Sequence, residues 1–143
     1  MATKRLIFAV AVIAGLSGCA TRITPSGPPP PVNCDNSGAC KVDVQVFGCT
    51  VTAPDVNVVA ATNIFWELDQ VARDNGWSFP DDLLLKGIWI KDPPQGQFVL
   101  PDRQSEWRFK LHDKNEVKGS FRYGVRVVKG SIDCELDPSI VNH

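Results

Sequence analysis

The sequence predicts an all-β protein, an antiparallel β-sandwich of about seven strands behind a removable leader and a proline-rich spacer. Three observations point there. From Lys41 onward, apolar residues recur at every second position in several separate runs, the period of a half-buried strand. Turn-forming residues divide those runs at intervals of about ten, as in sandwiches. Finally, five cysteines in a chain of 143 residues suit a small domain held by covalent links.

The organisation expected is residues 1–18 as leader, 19–40 as anchor and spacer, and 41–143 as the sandwich. Residues 1–18 open with Lys4 and Arg5, continue through the apolar run Leu6–Ala14, and end in small residues, the pattern of an export signal. The run falls short of the ~20 residues needed to cross a bilayer. Leu16-Ser17-Gly18-Cys19 closes it. These four residues resemble the lipobox of bacterial lipoproteins, which implies cleavage before Cys19, acylation of Cys19 and firm attachment to a membrane. Ala20, rather than Asp, follows the cysteine; the resemblance then implies the outer membrane, facing the periplasm. The competing reading is an ordinary secretory signal with a chance cysteine.

After the leader, Pro25, Gly27 and Pro28–Pro31 form a segment that cannot build a core and favours extended polyproline geometry. A spacer is the expected role, with a ligand for a proline-reading partner as the alternative. Charge is nearly balanced at 15 Lys+Arg against 16 Asp+Glu, and loss of Lys4 and Arg5 leaves 13 against 16. That excludes bulk nucleic-acid binding.

Removing Cys19 from the count leaves Cys34, Cys40, Cys49 and Cys134, an even number in an oxidising compartment. Four cysteines allow three connectivities. The favoured one is Cys34–Cys40 around Asn36-Ser37-Gly38, with Cys49–Cys134 tying an early strand to the last. A zinc site is the rival, without a CxxC or a nearby His to support it.

Val42, Val44 and Val46 alternate with Lys41, Asp43 and Gln45, a strand, and Val56, Val58 and Ala60 repeat the pattern. Residues 62–75 are ambiguous. Ile64, Leu68, Val71 and Ala72 have helical spacing, whereas Ile64, Trp66 and Leu68 alternate; strand is expected for 63–68, then a turn. Gly87–Lys91 reads as a strand, Asp92–Gly96 as a breaker, and Phe98 and Leu100 as a short apolar pair closed by Pro101-Asp102. Glu106–His112 is the clearest strand, with Trp107, Phe109 and Leu111 inward. Asp113-Lys114-Asn115 turns the chain, and Phe121, Tyr123, Val125 and Val127 face the core again. Ile132–Leu136 follows, and Asp137-Pro138 ends the domain.

The Ile64/Trp66/Leu68 strand, Phe79, Gly87–Ile90, Trp107-Arg108-Phe109 with its Asp113–Asn115 turn, Phe121–Val125 and Cys134 through Asn142 together resemble a group of small exported bacterial domains of unassigned function. The resemblance covers roughly residues 41–142. It implies a cupredoxin-like or immunoglobulin-like sandwich, a strand at 63–68 and no activity, while the insertion at Gln70–Asn75 departs from the tighter turn expected and suits a helical turn.

Blue copper needs two His, a Cys and usually an axial Met. Here the only Met is Met1, His143 is terminal and His112 lies on an outward phase, so no metal or cofactor is expected. No G-x-S-x-G occurs, and Asp81-Asp82 and Asp133/Glu135 suit turn and solvent positions, so no catalytic residue is assigned and no enzyme is expected. A basic face is the more interesting feature. Arg108 and Lys110 (with His112) on one strand and Arg122 and Arg126 on the next would lie side by side if those strands form a hairpin. Such a stripe would meet lipid phosphates, peptidoglycan or an acidic envelope protein; the plainer reading is a solvated face balanced by Glu106, Asp113 and Glu116. The function expected is a non-enzymatic envelope lipoprotein that binds a protein or the cell wall. The alternative is a carrier of a small ligand or metal in a pocket among Trp66, Trp77, Trp89 and Trp107, against which stands ordinary core packing of tryptophan.

Overall fold

The computed structural model describes residues 27–35, 38–81 and 86–143, so the leader, Cys19 and the lipobox lie outside the described residues. Eleven strands and one helical turn appear among them, in two packed sheets. The first strands are β1 (Val32–Cys34), β2 (Ala39–Phe47), β3 (Thr50–Thr52), β4 (Val56–Val58) and β5 (Thr62–Leu68). The helical turn α1 (Gln70–Asp74) comes next. Then come β6 (Ile88–Ile90), β7 (Asp102–Ser105), β8 (Arg108–Asp113), β9 (Gly119–Lys129), β10 (Ile132–Leu136) and β11 (Ser139–Asn142).

Alternation decides the inner faces. Along β2, Cys40, Val42, Val44 and Val46 are buried while Lys41, Asp43 and Gln45 are exposed. Along β5, Thr62, Ile64, Trp66 and Leu68 are buried, so strand wins over helix there. The helical signal is satisfied one step later. Asp69 caps α1, its carboxylate accepting the Ala72 N–H at 2.7 Å, and the turn ends at Asn75 before Gly76 in the left-handed region.

One sheet runs β3-β2-β5-β8-β7; the other runs β1-β4-β11-β9-β10, with β6 also on β9. Their inner faces meet in one apolar core, where Trp66 of the first lies 5.2 Å from Tyr123 of the second. Both expected disulfides form, and each joins the two sheets: Cys34 of β1 to Cys40 of β2, and Cys49 after β2 to Cys134 of β10.

Several expectations need correction. The sheets are mixed rather than antiparallel, because β2 and β5 are parallel, as are β1, β4 and β11. The chain leaves β2, crosses to β4 in the other sheet and returns to β5, which sets β5 running alongside β2. There are more than seven strands, since short pieces such as β1, β3 and β7 carry too few residues to show a period. The sheet begins at Val32, ahead of residue 41 where the sandwich was expected to start. Nor does Asp137-Pro138 end the domain. It interrupts a return path along β9, with β10 pairing Val125–Lys129 and β11 pairing Gly119–Arg122, and Ile140 is fully buried. Ala60 falls outside β4. Trp107 is not inward: β7 and β8 form a hairpin that turns at this point, and the ring is 38% exposed beside the Arg73 guanidinium.

Candidate functional site

An open cleft of about 620 Å³ lies between β6 and the segment that leads into β7. Ile88, Trp89 and Ile90 form one wall and Phe98, Val99, Leu100 and Pro101 the other, with Phe109 also lining it. Two close approaches shape it. Gly124 on β9 has no side chain because the Trp89 ring lies directly over it; a Cβ there would run into the indole. Gly87 is likewise pressed by Phe109, whose ring would stand 2.6 Å from an added Cβ. The Arg126 guanidinium sits 5.5 Å from the Trp89 ring centroid. On the opposite wall, Phe98 packs edge-on against Phe121 at 5.3 Å, and the Val99 N–H donates to the His112 carbonyl at 2.9 Å. Leu100 is left 86% exposed at the lip.

Charge is confined to a few positions. Arg103 donates to the Phe79 carbonyl at 3.3 Å and pairs with Asp81 at 3.2 Å, while Lys86 and Asp102 complete the lining. Asp81 and Lys86 border residues 82–85, which are outside the described set, as is the Asp82 half of the Asp81-Asp82 pair. Among the described lining residues the arrangement offers apolar contact with a few charged groups, Asp81, Lys86, Asp102 and Arg103, at its edge.

The expected tryptophan pocket does not form. Trp66 and Trp77 are core residues, Trp107 stands beside α1, and Trp89 alone of the four lines the cleft. The basic stripe does not form either. Arg108 and Lys110 are on β8 in one sheet; Arg122 and Arg126 are on β9 in the other, because the chain crosses between sheets after Asn115 instead of making a hairpin. The three arginines are also partnered: Arg108 with Glu67 at 3.1 Å, Arg122 with Asp137 at 3.8 Å, and Arg126 with Glu135 and, at 3.4 Å, Asp133.

A second constellation lies buried between the sheets. Asp113, expected in an exposed turn, is 0% exposed. Its Oδ1 accepts from the Gln97 amide at 2.6 Å, the Asn115 N–H at 2.8 Å and the Asn142 amide at 3.2 Å. Gln97 Oε1 in turn accepts from the N–H groups of Glu116 and Val117. Burial pushes the Asp113 carboxyl above its ordinary 3.8, opposed by those donors from Asn115, Asn142 and Gln97. The signal was present in the sequence: Phe109, Leu111 and Asp113 share one strand phase, so a strand continued by two residues carries the carboxylate inward. Gln97, by contrast, follows directly on the Asp92–Gly96 breaker, with no periodicity to mark it.

The chain matches no protein-family model and no curated protein sequence.

Proposed function

We propose that this chain is an exported, lipid-anchored, non-enzymatic binding domain. It would be acylated at Cys19, spaced from the outer membrane by its proline run, and would hold the apolar part of a small ligand in the cleft beside Trp89. The observation that carries the binding reading is the cleft itself. Its volume falls within the roughly 300–1,000 Å³ of small-molecule sites, and its lining is mostly aliphatic and aromatic with few polar groups. Leu100, exposed at the lip, extends the apolar surface outward. Export is supported by two sheet-to-sheet disulfides, which persist in oxidising compartments, together with the lipobox-like Leu16–Cys19.

The test uses anilinonaphthalene sulfonate, an apolar anion that fluoresces on leaving water, with Trp89 emission as a second signal. Saturable binding with quenching of Trp89 is expected. Leu100→Asp and Ile90→Asp are expected to weaken it at least tenfold, with the disulfides and the unfolding transition kept. Binding of equal strength in both variants would remove the cleft as the site.

A further inference from the structure

The buried constellation at Asp113 has a shortage of donors. Besides Asp113 Oδ2, the side-chain oxygens Asn115 Oδ1, Asn142 Oδ1 and Thr62 Oγ1 are all buried and accept no hydrogen bond. Their residues are 7%, 3% and 1% exposed. Each belongs with the carboxylate. Asn115 donates its backbone N–H and Asn142 its side-chain amide to the other oxygen, and Thr62 is the cross-strand partner of Asp113, on the same buried face. Buried polar atoms are almost always satisfied, so four orphan oxygens on Asp113 and three residues that neighbour it call for a partner of positive charge.

We propose that Thr62, Asp113, Asn115 and Asn142 form a binding site for one hard, oxygen-seeking cation of the sodium or calcium class. The donor set is all oxygen, with a single formal charge and neutral amide and hydroxyl groups, which excludes the soft and imidazole-seeking metals. Among the described residues no Lys or Arg forms an ion pair with Asp113; Lys118 instead donates to the Asn115 and His143 carbonyls. The buried carboxylate therefore has no Lys or Arg partner, only the Gln97 and Asn142 amides and the adjacent His112, and a bound cation supplies the remaining charge. The ion would join β5 and β8 of one sheet to β11 of the other, which assigns it a structural role. It does not depend on the ligand cleft.

The experiment is thermal unfolding of the full chain, with choline chloride and a chelator as baseline and sodium, calcium or magnesium added separately. Either sodium or calcium is expected to raise the midpoint by several degrees, increasing with the logarithm of concentration above Kd. Which of the two acts tells the ion. Calorimetry is expected to count one ion per chain. Asp113→Asn keeps the side-chain shape and is expected to lose the shift; Thr62→Val and Asn115→Ala are expected to weaken it, and they carry the test if Asp113→Asn does not fold. The proposal is overturned if no cation moves the midpoint, which would leave water or a proton at Asp113. It is also overturned if magnesium alone acts, or if the three variants keep the full shift.

Discussion

The two ends of the sandwich are closed by opposite means. At one end, the Cys49–Cys134 bridge shares its level of the sandwich with Val46, Val51, Val127 and Trp77, all buried and apolar. At the other, Cys34–Cys40 stands beside Thr62, Gln97, Asp113, Asn115 and Asn142, all buried and polar. The register makes the second neighbourhood plain: Cys34 pairs with Val58, which pairs with Asn142, and Cys40 pairs with Ile64, next to Thr62 on the inner face. Apolar closure draws on area removed from water and tolerates imprecision. Polar closure depends on every group finding a partner, and loses heavily when one does not.

Breaking each end should reveal the difference. The largest effect is expected at the apolar end, where replacing Cys49 and Cys134 together by Ser opens a loop spanning 85 residues. On chain entropy this costs about 4.5 kcal/mol, read from denaturant midpoints. Trp77→Ala at the same end is expected to cost about 4 kcal/mol through lost burial and a cavity. At the polar end, Asp113→Leu leaves the Asn115 N–H and the Gln97 and Asn142 amides without an acceptor, for about 3 kcal/mol. Removing Cys34–Cys40 frees a separation of only 6 residues and is expected to cost about 2 kcal/mol.

The smallest effect belongs to the middle. Tyr123 donates its hydroxyl to the Pro54 carbonyl at 2.8 Å, and Tyr123→Phe is expected to cost about 1.5 kcal/mol. Burial raises the Tyr123 phenol above its ordinary 10.0, so the folded state holds this proton more firmly than the unfolded chain. Its contribution is complete below pH 10 and falls away as pH rises beyond. A stability profile across that range should drop in the native chain and flatten in Tyr123→Phe.

Much of this architecture can be read from the sequence because the central strands alternate cleanly. Val42, Val44 and Val46, then Ile64, Trp66 and Leu68, then Tyr123, Val125 and Val127 all carry period two and all form the core. Cysteine counting likewise points to two bridges, and the connectivity favoured among three is the one that forms. Strand order is another matter. The parallel pairing of β2 with β5 arises from a crossover between sheets, and nothing local in residues 48–61 records it. The same crossover logic separates Arg108 and Lys110 from Arg122 and Arg126, since a turn at Asp113–Asn115 looks alike whether the chain doubles back or changes sheets. The cleft was legible only in its parts. Trp89 and the Phe98/Leu100 pair each stood out, yet their meeting depends on β6 and β8 lying in different sheets. The polar cluster was hidden by composition, because Asp, Asn and Gln between strands ordinarily signal a solvated turn.

Intact mass and membrane fractionation of the protein from its cells, beside a Cys19→Ala variant, test the central claim of an exported and anchored domain. The account predicts a mass lacking residues 1–18, increased by acyl chains, in the membrane fraction, and a Cys19→Ala variant that is neither acylated nor retained there. A native protein of full length, unacylated and free in the soluble fraction would contradict it.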